Sequence, residues 1–223
     1  MSPRRRPAWV GWIPAAILAV VIVGVGVTAA VLIGNGLGGP APKPTAGQVT
    51  ELNWSSFTEE GLEYIAADRQ VRIDFSKPPV DAAALGLPAD GTLALEPIDN
   101  LDTTLEYDLI VSGAGEYPGG IRFTAARVEI DTAGGLVTAV RGEVAGAAPF
   151  RDVLAQLEGD ASTYGWVYDR GEIFADVETA TRAGEAYELV FGPADRVGLN
   201  VQATAFCETN GFCALTYEMT PRQ

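Results

Sequence analysis

Histidine is absent from this 223-residue chain. That one absence removes Ser-His-Asp and Cys-His catalysis, together with every His-ligated zinc or iron site. Cysteine is almost as scarce, with Cys207 and Cys213 the only two. Paired with each other, they leave no thiolate for nucleophilic chemistry and no Cys-ligated metal. Lysine occurs only at positions 43 and 77. A Ser-Lys dyad would have to use Lys77, which directly follows Ser76 in a proline-rich turn, and no GxSxG nucleophile elbow occurs. Charge is missing altogether from Pro7 to Pro42.

That charge-free stretch sets the expected topology. From Ile13 to Ile33 every residue is apolar or small except Thr28. As a helix those residues span about 31 Å, close to the hydrocarbon thickness of a bilayer. Backbone amides in lipid have no water to bond, so an apolar span of this length must be helical. Pro14 falls in the first turn, where its missing N–H costs least, and Trp9 and Trp12 stand at headgroup level. Arg4, Arg5 and Arg6 hold the N-terminus in the cytoplasm, which places everything after the span outside. The rival is a cleaved signal peptide, with small residues at Val27–Ala30 as the cleavage region. The apolar stretch exceeds the usual ~7–15 residues of such a signal, which favours an anchor. Gly26, Ala30 and Gly34 recur at four-residue intervals and form a smooth face on which another membrane helix can pack.

The organisation read from the sequence is therefore a basic cytoplasmic segment (1–12), a transmembrane helix (13–33), a Gly/Pro-rich linker (34–47) and an extracytoplasmic domain (48–223). All 29 acidic residues lie beyond position 50, against 11 of the 15 basic ones. A domain that acidic repels nucleic acid and anionic lipid. The shortage of lysine beside plentiful Arg, Ala and Gly resembles the composition of proteins from GC-rich bacteria, and a bacterial cell envelope is the expected setting.

Within the domain, alternation and capping predict an α+β fold built on an antiparallel sheet with about three helices. The first helix is expected to start at a Ser56–Glu59 capping box and to carry Phe57, Leu62 and Ile65 on one face. Phe150, Val153, Leu154 and Leu157 predict a second helix ending at Gly159, and Ile173, Phe174, Val177, Ala180 and Thr181 a third over Arg170–Ala183, capped by Asp169 with Glu172 and stopped by Gly184. Strands are expected at Val71–Phe75, Thr92–Glu96, Thr104–Ser112, Ile121–Asp131, Leu136–Val144, Ala186–Phe191, Val197–Cys207 and Phe212–Met219, with a bulge near Ala125. The halves 48–146 and 147–223 each run helix then strands, the order a degenerate duplication would leave, but no residue-level repeat accompanies it and one domain is the expected count. In the last hairpin a loop at Thr209, Asn210 and Gly211 sets Cys207 opposite Cys213, predicting a structural disulfide.

Chemistry-bearing constellations are few. Tyr164, Trp166 and Tyr168 alternate; on an extended segment their rings share one side and offer a binding platform for a peptide or glycan. The same row buried would cap a core. Asp99, Asn100, Asp102, Glu106 and Asp108 concentrate oxygen ligands but lack the order of a calcium loop, so no metal and no cofactor is expected. What remains catalytically is a pair of carboxylates. The leading expectation is a non-enzymatic binding or accessory module of the cell envelope, meeting an envelope protein, a peptide or a glycan. One alternative is a tethered carboxylate-dependent hydrolase acting on envelope polysaccharide. Another is a small subunit that docks into a membrane complex through its transmembrane helix.

Overall fold

Alternation of apolar and polar residues, the mark of a strand with one buried face, recurs through the domain and builds its sheet. The computed structural model describes residues 43–50, 54–100, 103–114 and 120–222. The expected span at 13–33, with Gly26, Ala30 and Gly34, lies outside them, as do residues 34–42 of the linker. Among the described residues no helix is long and apolar enough to cross a membrane.

Helix α1 (Glu59–Asp68) opens the domain. Thr58, and not the expected Ser56, is its N-cap: Thr58 is extended at φ −66° and ψ 168°, and its Oγ1 accepts from Gly61 N. Ser56 Oγ lies 3.2 Å from Thr58 Oγ1 and supports the cap without making it. Strand β1 (Gln70–Asp74) follows, then a single 3-10 turn at Ala83–Leu85, β2 (Gly91–Leu95), and the short β3 (Ile98–Asn100) and β4 (Thr103–Leu105). Next come β5 (Tyr107–Ser112), β6 (Gly120–Ala133), β7 (Leu136–Val144) and the two-residue β8 (Ala148–Pro149). Helices α2 (Phe150–Tyr164) and α3 (Arg170–Ala183) lead to the closing meander β9 (Tyr187–Ala194), β10 (Leu199–Cys207) and β11 (Phe212–Pro221).

Nine strands form one sheet in the order β1-β5-β6-β7-β11-β10-β9, with β2 also on β6 and β8 also on β11; β3 and β4 pair separately. The sheet is mixed, which corrects the expected all-antiparallel arrangement: β1 and β5 run parallel, Val71 beside Leu109 and Ile73 beside Val111. Parallel neighbours need a crossover of a dozen or more residues, and residues 75–106 supply it. That same stretch breaks the strand expected at Thr104–Ser112 into β4 and β5. The predicted bulge is present, the β6–β7 register shifting between Ala125 and Arg127.

One face of the sheet is the core. Val71, Ile73, Leu109, Val111, Val128 and Ile130 are buried on the first meander, and Val201, Ala203, Ala205, Leu215, Tyr217 and Met219 on the second. Helix α2 lays Val153, Leu154, Leu157, Ala161 and Tyr164 against this face. Burying side chains the size of Leu157 or Phe191 contributes about 1.5–3 kcal/mol each. The helix does not stop at Gly159 as expected, because Ala161 and Tyr164 continue the Leu157 stripe and the chain turns only at Gly165. Ala114 N donates to Gly198 O (2.9 Å), joining the chain after β5 to the turn before β10.

The opposite face carries charge. Arg141 sits among Asp131 (2.7 Å), Glu129 (3.1 Å) and Glu218 (3.7 Å), and Arg127 bridges Glu96 (3.1 Å) and Glu129 (3.0 Å). Partial burial alone would lower the Arg141 pKa, but the hydrogen bonds and charge of Glu129 and Asp131 outweigh it and raise it. Such exposed pairs contribute little stability, about 0–1 kcal/mol each.

Candidate docking groove at the sheet edge

The aromatic row does not stand on an extended segment. Tyr164 closes the last turn of α2, Trp166 follows the Gly165 cap, and Tyr168 precedes α3. Tyr164 and Trp166 are buried in the core, their ring centroids 5.0 Å apart. Trp166 Nε1 donates to Val201 O at 2.8 Å, and its ring stacks on Tyr217 at 6.4 Å and meets Phe191 edge-on at 5.8 Å. The indole reaches this place because Gly192 carries no side chain: a Cβ there would stand 2.6 Å from Val201 O and 2.7 Å from Trp166 Nε1. Only Tyr168 is at the surface, 39% exposed, with its ring 5.2 Å from Phe191.

Beside these rings lies a half-buried polar cluster. Tyr217 Oη donates to Asp160 Oδ2 (2.5 Å) and accepts from Gln156 Nε2 (3.0 Å). Burial, reinforced by Asp160, pushes the Tyr164 phenol up to about 12 and Tyr217 higher still. Both phenols stay protonated over the physiological range, and the Tyr217–Asp160–Gln156 cluster braces α2 on β11.

Tyr168 borders an open groove of about 670 Å³ between the start of α3 and the outermost strand β9. Its apolar wall comes from Val167, Ile173, Leu189 and Val190, and its rim carries Glu172, Asp176 and Glu188. Helix α3 forms as predicted, with Asp169 Oδ1 accepting from Gly171 N (2.7 Å) and Glu172 N (3.3 Å), and Gly184 closing it. Its apolar stripe, however, is not taken into the core, and none of its residues is fully buried. Phe174 touches Phe150 edge-on at 6.1 Å yet stays 46% exposed. Val167 is 96% exposed and Val190 53%. On the outer face of the sheet Phe206 lies diagonally across from Val190, since Val190 pairs with Thr204 and Glu188 with Phe206. Most of the large exposed apolar side chains among the described residues thus gather at this end of the sheet.

The charge around the groove is unbalanced. Arg170, the nearest cation in sequence, is held by Glu158 (3.2 Å) and lies over the Phe174 ring at 5.6 Å. Arg182 is held by Glu178. Among the described residues no arginine or lysine forms an ion pair with Glu172, Asp176 or Glu188. Sequence reasoning weighed Glu172 only as a capping partner of Asp169 and passed over Asp176, Glu188 and Val190. The available signal was the composition of α3, where only Ile173, Phe174 and Val177 are large and apolar, too few to sink a helix into a core.

A second groove, about 570 Å³, lies between Pro78–Pro79 and the end of β11, lined by Leu136, Thr138, Asn200 and Pro221. It carries no carboxylate, and its Arg222 is engaged by Asp195 (3.0 Å). Among the described residues no group of three His, Cys, Asp or Glu side chains is placed to hold a metal ion. Asp108, one of the acidic residues weighed for calcium, is held by Arg122 at 2.8 Å. Cys207 and Cys213 stand opposite each other at disulfide distance, S–S 2.04 Å, in the predicted register, with Gly211 at φ +80° closing the turn. No family model, no curated protein and no solved structure matches the chain.

Proposed function

We propose that the chain is a single-pass membrane protein that displays its acidic α+β domain outside the cell, where it serves as a non-enzymatic binding or accessory module of the envelope. Its partner docks at the groove between α3 and β9. The observation that carries this reading is the bare apolar surface of Val167, Phe174 and Val190 beside three carboxylates that have no ion-pair partner among the described residues. Exposed apolar surface rimmed by polar groups marks an interaction site more often than a functionless face. The anchor reading of residues 13–33 supports tethering, and a cysteine pair at disulfide distance accords with an oxidising compartment. The sheet order, which sets the last strand of each meander, β7 and β11, side by side at the centre, supports reading 48–146 and 147–223 as related halves.

Site-specific photo-crosslinking tests this. A photoreactive phenylalanine analogue is placed in the full-length chain at position 174, 190 or, as a control, 136, and intact cells are irradiated. Adducts are expected from 174 and 190 and not from 136, and protease added to intact cells should digest them. Equal adducts from all three positions, or adducts that protease cannot reach, would overturn the reading.

A further inference from the structure

We infer that the groove receives an extended cationic peptide segment as an added strand on β9, an inference that rests on the docking reading above and names its occupant. Glu208 N donates to Phe212 O at 2.9 Å, so at this end of the hairpin the backbone of Glu208 faces β11 as in a hydrogen-bonded pair. Hydrogen-bonded and non-hydrogen-bonded pairs alternate along an antiparallel ladder, which makes Cys207–Cys213 a non-hydrogen-bonded pair. The even-numbered residues of β10 therefore turn their N–H and C=O toward β11 and the odd-numbered ones toward β9. Cys207, Ala205 and Ala203 pair with Tyr187, Leu189 and Phe191, and those three, with Ala194 opposite Val201 beyond a bulge, are the β9 residues turned toward the sheet. Glu188 and Val190 between them present N–H and C=O outward, into the groove they line.

No turn, loop or capping hydrogen bond among the described residues reaches Glu188 or Val190. The other edge of the sheet is treated differently. There Ser55 N donates to Arg72 O (2.9 Å) and Arg72 N donates to Ser55 Oγ (2.8 Å), so β1 is covered by the preceding segment. An uncovered edge with free backbone groups is a template for strand addition, and a helix beside such an edge makes a slot for one extended chain. The occupant's chemistry follows from the walls. Glu172, Asp176 and Glu188 call for Lys or Arg, while Ile173 and Val190 call for apolar side chains, so a segment carrying both kinds of side chain fits. A second copy of this chain does not fit, because pairing β9 with itself would bring the two sets of carboxylates together.

The test uses the full-length chain in detergent micelles and a labelled peptide of about eight residues alternating valine and lysine, long enough to pair along Tyr187–Phe191. Two versions of the peptide are N-methylated on alternate residues, in opposite phase. The parent peptide should bind, and one phase should weaken binding at least about tenfold while the other leaves it within about threefold, because only one set of its amides faces β9. Exchange of the Glu188 and Val190 amides should slow at least about tenfold on binding. A double variant, Glu172→Lys with Asp176→Lys, should lose the parent peptide. If both phases bind like the parent while the double variant does not, strand addition is wrong and the groove as docking site stands. If the double variant binds as well as the unaltered chain, or the cationic peptide does not bind at all, the inference is overturned.

Discussion

Replacing Trp166 with alanine is expected to destabilise the domain by about 3–5 kcal/mol, the range for deleting a large buried aromatic. The residue joins four elements. Its indole N–H satisfies the Val201 carbonyl in β10, its ring contacts Tyr164 of α2 and Tyr217 of β11, and its edge meets Phe191 of β9. Deletion leaves a cavity, strips those rings of a neighbour and orphans a buried carbonyl, and each of these costs stability separately. Denaturant unfolding followed by circular dichroism measures the loss. A change below about 1 kcal/mol would mean that the ring is not in the core, and would return Trp166 to the surface platform that the sequence suggested.

The second large effect is alkaline. In the unfolded chain a tyrosine loses its proton near pH 10, while burial and the Asp160 carboxylate hold Tyr164 protonated to about 12. Between those values the native state binds more protons than the unfolded state, so stability falls as pH rises. The contribution is fully present below pH 10 and declines by about 1.4 kcal/mol per pH unit for Tyr164, about 3 kcal/mol across the interval. Tyr217, raised further by burial and by donating to Asp160, adds to the loss with the same sign. Unfolding measured from pH 9 to 12, alongside tyrosinate absorbance, checks this. Two of the seven tyrosines should ionise only as the domain unfolds. Seven ionising together near pH 10 on an intact fold would contradict it.

Much of the fold was legible because strand alternation is a local signal. The core face of Val201, Ala203, Ala205, Leu215, Tyr217 and Met219 follows from a period of two together with the turn chemistry at Asn210–Gly211, and all six are buried. The same turn fixed the Cys207–Cys213 register. What escaped were features decided by distant neighbours. Whether β5 runs parallel to β1 depends on how residues 75–106 return, and no local pattern records that. Ser56 has the composition of a cap, but Thr58 takes the capping geometry. Gly159 resembles a helix stop and is passed through because packing of Ala161 and Tyr164 outweighs its propensity cost of about 1 kcal/mol. The aromatic row was noticed for its spacing, yet a helix end separates Tyr164 from Trp166, so period-two reasoning did not apply there. The groove residues Asp176 and Val190 went unremarked and Glu172 was read only as part of a cap, because what distinguishes them is a missing partner, and sequence periodicity does not report partners.

Amide hydrogen exchange along α3 in the full-length chain, alone in detergent, tests most directly whether that helix stands unburied beside an open sheet edge. Helices that bury little open locally at far smaller free energies than the core. Amides within 174–182 should therefore exchange at least about a hundredfold faster than those within 154–161 of α2, with the outward amides of Glu188 and Val190 among the fast ones. Protection of α3 equal to that of α2 would mean that the chain itself already fills the groove, and no docking site would remain there.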